Sequence, residues 1–435
     1  MLRASAWKVD LAPPVGSWMT GYAARVDRSV GTHDPITARG VMLDDGESRL
    51  VIVSCDIVGF TPEAVAEMRR RIEHRTGIPG GNVLICCTHT HSGPASMPLR
   101  GQMGYVHKPW LRSAQARIIY LVRSLAARLE PARLAYSSTS VPGIGFNRQD
   151  RSRPTDEELI AISIERGDGT PIAVIINYAT HAVVLGPQNL DFSGDFPGAA
   201  ARHLDTLTGG VGLYLQGACG DVDPATQLQK GWGAGTFDDC EAIGERLARA
   251  ALGALGGAPC TDTVSLGAAS RIVDVPLDPP PTLEQLEALI EGFKGDRKAA
   301  VTADPRDRAG ELTAGTMLLW ARKLRRLVLH GTVPTTIPAE VFAARVNDVR
   351  IVGLPFETYT DIGLGIKNGL KPLNGVFAGY ANGLLGYCPT RWAKDQGGYG
   401  ADVSCRWFGD LVTPIGYGAE ELLVRAGIEV SSSLG

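Results

Sequence analysis

The sequence predicts an α/β fold in which mixed β-sheets are flanked by helices. Short apolar runs of strand length, bounded by glycine and polar residues, occur at residues 49–57 and 82–87. Segments with helical spacing of apolar side chains, at residues 61–76 and 110–130, alternate with them. No internal repeat or low-complexity linker divides the chain, so a single domain over residues 1–435 is the simplest organisation.

The remaining elements follow from the same two patterns. Residues 9–23 are rich in turn-forming residues and predict an irregular opening. The turn Arg166-Gly-Asp-Gly169 separates two apolar runs, which indicates a hairpin. The further strands are predicted at residues 133–140, 159–164, 171–178, 211–215 and 349–354, and the further helices at residues 195–207, 237–255 and 358–370.

Residues 276–332 differ in character from the rest of the chain. Four prolines fall within residues 276–281, and two charged amphipathic helices are predicted after them, at residues 283–293 and 308–330. We interpret the segment as a helical insertion, with a lid or a homo-oligomer contact as its expected role.

Composition restricts the class of partner. The net charge of −3 gives no electrostatic basis for binding nucleic acid or an anionic membrane surface. No apolar stretch approaches the roughly 20 residues that span a bilayer, and the N-terminus lacks a secretion signal. The eight cysteines form no Cys-x-x-Cys pair. We therefore expect a cytoplasmic protein without stable membrane association.

Candidate metal-binding side chains follow three predicted strands. His89 and His91 come after residues 82–87 and should point the same way, although a solvent-facing pair in a loop is an equally good interpretation. His181 follows another strand, where a lone histidine is more often structural, and Glu357 could simply favour a helix N-terminus. Together, two histidines and a glutamate suit a zinc ion, which activates water and polarises a carbonyl.

Two further segments carry polar groups in glycine-rich loops. Asp221 and Asp223 share one turn, where they could contact a ligand or form an Asx-type turn. Tyr387 and Tyr399 lie between glycines, a setting in which tyrosines usually contribute to packing.

In this order, the motifs resemble the catalytic domain of the neutral/alkaline non-lysosomal ceramidases. The resemblance extends over almost the whole chain. The matching blocks are Met19-Thr-Gly-Tyr-Ala-Ala24, Val53-Ser-Cys-Asp56, Thr88-His-Thr-His-Ser-Gly-Pro94, Gly145-Phe-Asn-Arg148, Tyr178-Ala-Thr-His-Ala182 with Asp195, Gly220-Asp-Val-Asp-Pro224, Leu354-Pro-Phe-Glu357, Gly386-Tyr-Cys-Pro-Thr390 and Gly397-Gly-Tyr399.

The resemblance implies a site as well as a fold. It implies zinc as the cofactor, held by four ligands, and a small-molecule amide as the substrate. His91 is implied to act in catalysis or binding beside the metal. The implied zinc ligands are His89, His181, Glu357 and Tyr399, and the implied substrate-binding residues are Arg148, Tyr387 and Asp221.

One position departs from the family. The ceramidases have Gly-Asp-Val-Ser-Pro, and Asp223 stands here in place of the serine. Asp223 is expected either to act as a catalytic base towards water or to recognise a cationic group. We also expect no C-terminal β-sandwich domain. This expectation and the presence of Asp223 both favour a small substrate other than a sphingolipid.

The sequence thus predicts a zinc-dependent hydrolase that cleaves a linear amide with metal-activated water. A ceramidase proper, or an esterase or lactonase using the same site, is the alternative within enzymes. A non-catalytic relative that binds a ligand is the alternative outside them.

Overall fold

The computed structural model describes residues 1–435. The helices are α1 Pro62–Thr76, α2 Lys108–Ala126, α3 Asp195–Thr208, α4 Thr226–Lys230, α5 Phe237–Leu255, α6 Leu283–Thr302, α7 Arg308–His330, α8 Thr360–Gly369, α9 Arg391–Gln396 and α10 Ala419–Ser432. The strands are β1 Arg3–Asp10, β2 Gly31–Thr32, β3 Thr37–Asp44, β4 Arg49–Cys55, β5 Val83–Cys87, β6 Glu130–Pro131, β7 Arg133–Ser140, β8 Gly145–Asn147, β9 Glu158–Glu165, β10 Pro171–Tyr178, β11 Asp191–Phe192, β12 Val211–Gln216, β13 Val222–Pro224, β14 Leu266–Pro276, β15 Thr336–Val346, β16 Val349–Gly353, β17 Glu357–Thr358, β18 Asn374–Ala378 and β19 Tyr387–Cys388.

Three larger sheets organise the fold. Sheet 1 has the order β5-β4-β3-β1-β6, sheet 2 the order β12-β10-β9-β7, and sheet 3 the order β14-β15-β16-β18. Each contains one parallel pair, β4–β5, β10–β12 and β16–β18 respectively, while their other pairs are antiparallel. The mixed sheets predicted from the sequence are therefore confirmed.

The three sheets share one central core. One face of each sheet contributes to a single apolar cluster, in which Ile52, Ile175 and Ile351 represent sheets 1, 2 and 3. Because the other faces are covered by helices, the central strands are apolar on both faces and lack the alternation of a half-exposed strand. This explains why the strands appear in the sequence as short continuous apolar runs.

A pair of helices covers the outer face of each sheet. Helices α1 and α2 pack on sheet 1, α3 and α5 on sheet 2, and α8 and α10 on sheet 3. Helix α1 shows how local sequence sets the bounds, since the Thr61 hydroxyl accepts from the Ala64 backbone N–H at its start and Gly77, with φ 70°, ends it. None of the helices is both long and apolar enough to cross a membrane.

The residues predicted as an insertion form the hairpin of α6 and α7. The hairpin has its own small apolar core, which includes Leu286 and Leu324. The Trp320 indole donates to the Val412 carbonyl at 2.8 Å, and Met317 packs against Trp407. Helix α6 extends well past the predicted bound at residue 293.

Five of the longer strands were not predicted, namely β1, β3, β14, β15 and β18, and none of the strands of two or three residues was predicted. β1 ends where the turn-rich opening begins, so the prediction for residues 9–23 holds from Leu11 onward. The predicted hairpin at residues 159–164 and 171–178 is the antiparallel pair β9–β10.

Candidate metal centre

Three predicted side chains meet because each follows a strand of a different sheet. His89 follows β5 of sheet 1, His181 follows β10 of sheet 2, and Glu357 follows β16 of sheet 3. Each of those strands belongs to the parallel pair of its sheet, and the carboxyl ends of such strands are where sites form in α/β proteins. The fold thus brings one side chain from each sheet to a common point.

Their atoms converge closely. The Oε2 atom of Glu357 lies 3.2 Å from His89 Nε2 and 3.3 Å from His181 Nε2. His91 Nε2 lies 3.1 Å from His89 Nε2, and one ring nitrogen from each of the three histidines lies within 4.8 Å of those of the other two. All four side chains are buried. We call His89, His91, His181 and Glu357 the His–Glu cluster.

The outer nitrogens of two histidines fix the direction of the inner ones. His89 Nδ1 lies 2.7 Å from the Val58 carbonyl, and His181 Nδ1 lies 2.9 Å from the Cys219 carbonyl. A carbonyl only accepts, so each Nδ1 carries a proton, and the neutral form of each ring would direct the Nε2 lone pair inward.

Acceptor atoms therefore face one another inside the cluster. His181 Nε2 and Glu357 Oε2 are fully buried and have no hydrogen-bond partner. Buried acceptors without a donor are costly, and a divalent cation between them removes that cost. Imidazole nitrogens and a carboxylate are suitable ligands for zinc and other first-row divalent ions. The residues present fit a metal ion.

The protonation states agree with ligation. Burial lowers the pKa of His181, and burial with the neighbouring histidines lowers the pKa of His91 well below its usual value. Both rings are therefore neutral near pH 7. Burial alone would raise the pKa of Glu357, but positive charge at the His89 and His181 positions holds that pKa well below its usual value. With the rings neutral, a bound cation would supply this charge.

A glycine lets the N-terminal segment pass directly over His91. A Cβ atom on Gly21 would lie 2.3 Å from His91 Cγ, and Gly21 has φ 95°. The next residue, Tyr22, packs edge-on against His91 with ring centroids 5.0 Å apart. The Gly-Tyr pair noted in the sequence is thus part of the site.

The cluster opens into a cavity of about 650 Å³. His91 is the cluster member on its wall, and the only fully charged groups on that wall are Arg148 and Asp223. The other lining residues are Gly21, Tyr22, Ala23, Ala24, Gln149, Val183, Trp232, Thr313, Tyr359, Tyr387, Gly398, Tyr399, Gly400 and Trp407.

Arg148 and Asp223 form an ion pair on this wall. Arg148 Nη1 donates to Asp223 Oδ1 at 3.1 Å, while Nη2 donates to the Gly220 carbonyl at 2.7 Å and to the Tyr387 hydroxyl at 2.9 Å. Burial alone would lower the pKa of Arg148, but Tyr387 and Asp223 raise it well above its usual value. The guanidinium therefore stays charged, and strand β13 holds its partner Asp223 in place.

Of the two candidate tyrosines, the structure favours Tyr387 as the one next to the metal. Strands β17 and β19 pair in parallel with Glu357 opposite Tyr387. Burial and the nearby Glu357 carboxylate raise the pKa of the Tyr387 phenol well above its usual value, although Arg148 opposes them. Tyr399 lies further out, 50% exposed, with its ring centroid 5.6 Å from that of Tyr387. The placement does not support the prediction of Tyr399 as a ligand, because strand pairing gives that position to Tyr387.

Asp221 also lies away from the substrate-binding position expected for it. Its Oδ1 accepts from the Thr360 backbone N–H and hydroxyl, both at 2.8 Å, and its Oδ2 accepts from the Asn147 amide at 2.8 Å. Asp221 does not line the cavity. Its carboxylate joins β8 to the start of α8, and its oxygens are already occupied without a substrate.

Sequence reasoning missed several aromatic residues on the cavity wall, among them Tyr22, Trp232 and Trp407. Tyr22 lies in a motif that was noted without a role. Trp232 stands between two glycines, and an exposed tryptophan in such a loop is a usable signal for a binding surface.

Comparison with known proteins agrees with the geometry. The sequence model of the neutral/alkaline non-lysosomal ceramidase N-terminal domain matches residues 8–230. The neutral ceramidase of Pseudomonas aeruginosa is 25% identical over 440 residues, covering 86% of this chain and 64% of the relative. That of Mycobacterium tuberculosis is 28% identical over 227 residues, covering 46% and 34%. The chain thus spans less than two thirds of the length of these relatives.

Solved structures show the same fold. The crystal structure of neutral ceramidase from Pseudomonas aeruginosa matches with a TM-score of 0.73 at 20% identity, covering 99% of this chain and 75% of that one. A structure described as ceramidase complexed with C2 matches with a TM-score of 0.74 at 19% identity, covering 100% and 75%. Since the family's sequence model covers more than half of the residues, the chain belongs to the neutral/alkaline non-lysosomal ceramidase family.

Proposed function

We propose that the protein is a zinc-dependent hydrolase of linear amides. The observation that carries the proposal is the His–Glu cluster, whose buried acceptor atoms face one another beside a cavity. The relatives are named neutral ceramidases, and ceramide is an N-acylated amine. Amide hydrolysis is therefore the reaction class that suits both the site and the family.

The metal would be held by His89, His181 and Glu357, with Tyr387 as the fourth ligand. When bound, zinc would polarise the amide carbonyl and make water a better nucleophile. The neutral His91 lines the cavity beside His89, where it would hydrogen-bond the carbonyl oxygen and stabilise the charge that develops there.

Asp223 is our candidate for the general base. Its Oδ1 is bound by Arg148, whereas its Oδ2 accepts no hydrogen bond from the protein. Arg148 thus fixes the carboxylate while leaving one oxygen free to take a proton from water. Because the family has a serine at this position, we propose a small substrate other than a sphingolipid. Family membership favours ceramide itself as the second candidate.

The test combines metal analysis with a substrate panel. The purified protein is assayed for bound zinc and for hydrolysis of N-acyl amines, ceramide and acyl esters. We expect stoichiometric zinc, and amide hydrolysis that disappears in His89→Ala. The matched control is His330→Ala, because this histidine is exposed at the end of α7, far from the cluster in sequence and outside the cavity wall. Absence of stoichiometric metal, or full activity in His89→Ala, would contradict the proposal.

A further inference from the structure

A single buried side chain, that of Gln216, connects the segments that carry two members of the His–Glu cluster. Gln216 is the last residue of β12 and is fully buried. Its amide nitrogen donates to the Thr88 carbonyl at 3.1 Å and to the Thr180 carbonyl at 2.9 Å. These two residues directly precede His89 and His181 in the chain. One amide group thus bridges the loop after β5 in sheet 1 and the loop after β10 in sheet 2.

The orientation of this amide is fixed by its partners. Both partners of the nitrogen are carbonyl oxygens, which only accept, so the nitrogen and the oxygen of the amide cannot exchange places. The amide oxygen, Oε1, accepts from the Gly217 backbone N–H at 3.2 Å. A buried amide whose polar atoms are all paired is held in one orientation, and it therefore fixes its two carbonyl partners relative to each other.

The main chain around Gln216 reaches the third sheet. The Gln216 carbonyl accepts from the Gly379 backbone N–H at 2.9 Å, directly after β18. Strand β18 is the parallel neighbour of β16, the strand that precedes Glu357. The Gly217 N–H donates to the Tyr178 carbonyl at the end of β10, also at 2.9 Å. Gln216 therefore lies where the three sheets meet, at the carboxyl ends of their parallel strands.

The peptide group that joins Thr88 to His89 is bound at both of its polar atoms. Gln216 donates to its carbonyl oxygen, and its N–H donates to the Ile57 carbonyl at 3.1 Å. His89 itself has φ 62°, a left-handed conformation that is rare for a residue with a side chain. Such a conformation persists only where the surrounding structure holds it, and these two hydrogen bonds contribute to that support.

The peptide group that joins Thr180 to His181 is bound in the same way. Its carbonyl oxygen accepts from Gln216, and its N–H donates to the Val222 carbonyl at 3.0 Å. The imidazole rings of His89 and His181 are attached directly after these two peptide groups. The distance between the peptide groups therefore determines how far apart the two inward-facing Nε2 atoms lie, and the Gln216 amide sets that distance.

We propose that Gln216 is a positioning residue for the metal centre, because it holds His89 and His181 at the separation at which both can bind one ion. The inference rests on the proposed function, since it takes the His–Glu cluster to hold a metal ion. Gln216 does not line the cavity, so it acts only through the two histidines. Its contribution therefore appears in the affinity for the metal and in the geometry of the metal site, before any substrate is bound.

The first measurement is the dissociation constant for zinc, by competition with a chelating dye. Gln216→Met keeps an unbranched side chain of similar length but removes both donors. We expect the dissociation constant to rise by about tenfold to a hundredfold, as for the loss of other groups that hold metal ligands in place. Gln216→Asn retains an amide but is one methylene shorter, so it cannot reach both carbonyls and should show the same rise. This second variant provides the measurement if Gln216→Met does not fold.

The matched control is Asn177→Leu. Asn177 is a buried amide on β10 that also donates to two carbonyls, that of Leu215 at 3.0 Å and that of Phe377 at 2.9 Å. It too connects two sheets, sheets 2 and 3, but neither carbonyl belongs to a residue next to a cluster member. Asn177→Leu should therefore lose stability to urea as the Gln216 variants do, while its zinc dissociation constant changes by less than about threefold.

Cobalt(II) reports the geometry of the site directly. Its visible absorption depends on the number and arrangement of its ligands, and it binds the same imidazole and carboxylate groups as zinc. Cobalt-loaded Gln216→Met and Gln216→Asn should differ from the wild type in the position and intensity of the visible bands, whereas cobalt-loaded Asn177→Leu should match it. A residue that contributed only to stability would leave the spectrum of the folded protein unchanged.

Failure of this inference can be distinguished from failure of the proposed function, because neither measurement needs a substrate. A rise in the zinc dissociation constant confined to the Gln216 variants, with altered cobalt spectra, supports the inference even if no amide in the panel is hydrolysed. If the Gln216 variants bind zinc as tightly as the wild type, or if Asn177→Leu weakens binding equally, the inference is overturned and the proposed function is unaffected. If the wild type binds no zinc, both are overturned.

Discussion

Four of the buried carboxylates in this protein are exposed to nearly the same small degree but meet different partners. Glu357, Asp221 and Asp223 are 3%, 5% and 5% exposed, and Asp195 is fully buried. Asp195 accepts a backbone N–H group at each oxygen, and Asp221 accepts one at Oδ1 and the Asn147 amide at Oδ2. Glu357 Oε2 faces two imidazole nitrogens and accepts no hydrogen bond. Asp223 lies between these cases, with one oxygen bound and one free.

The comparison shows that burial alone does not mark a functional carboxylate. Removing a carboxylate from water is costly, and donors around Asp221 and Asp195 offset part of that cost within the protein. Glu357 Oε2 accepts no such hydrogen bond, and we propose that a bound cation offsets the cost there. The four residues can therefore be ranked by how much each should matter to function, and the ranking can be tested.

The largest effect is expected for Glu357→Gln. The glutamine amide removes the negative charge and can donate to the Nε2 lone pairs of His89 and His181, so it satisfies the cluster without a metal. We expect loss of bound zinc and a fall in amide hydrolysis of about a thousandfold, as for removal of a group that stabilises transition-state charge. Metal analysis and initial rates would measure both.

For the same variant we expect no loss of stability when metal is absent. In the presence of a chelator, Glu357→Gln should unfold at a urea concentration no lower than that of the chelated wild type, because facing acceptors have been replaced by donor–acceptor pairs. Asp195→Asn is the matched control, a buried carboxylate with internal donors, and should retain its zinc. A Glu357→Gln protein that keeps both zinc and activity would refute the metal assignment.

An intermediate effect is expected for Asp223→Asn. The amide keeps the shape of the side chain and an oxygen for Arg148, but it cannot take a proton. We expect kcat to fall by about a hundredfold while the zinc content is unchanged. Steady-state kinetics with metal analysis would show this. If Asp223→Ala kept full native activity while Asp223→Ser gained ceramide turnover, Asp223 would not be the general base.

The ranking also shows what could be predicted from sequence. His89, His181 and Glu357 were identifiable because each follows an apolar run of strand length, and runs of that kind are local features. That the three runs belong to three different sheets is a property of the tertiary fold, and no local pattern contains it. The cluster could thus be proposed as a set of residues, but not as a geometry.

Two tyrosines show most clearly what the sequence alone could not predict. Tyr387 and Tyr399 both lie in glycine-rich loops, and nothing local distinguishes them. The parallel pairing of β17 with β19 distinguishes them, because it sets Tyr387 opposite Glu357. Both strands are only two residues long, so their pairing depends on the loops around them and leaves no periodic signal.

The smallest effect is expected for Asp195→Asn, and it concerns stability. Burial raises the pKa of Asp195 from 3.8 to about 6, despite hydrogen bonds from the Leu185 and Phe196 backbone. The native state then binds a proton more tightly than the unfolded state, so this carboxylate lowers stability as the pH rises from about 4 to about 6. Asparagine tolerates the positive φ of 54° at this position and does not titrate.

The free energy of unfolding of Asp195→Asn minus that of the wild type should therefore increase over this pH window, by up to about 3 kcal/mol, and level off above it. Urea unfolding of both proteins at a series of pH values measures the difference, and all other titrating groups cancel because the two proteins share them. A difference that stays constant from pH 4 to pH 7 would show that the backbone donors fully compensate burial. Asp195 would then be a carboxylate whose internal hydrogen bonds replace water, and the contrast with Glu357 would be sharper still.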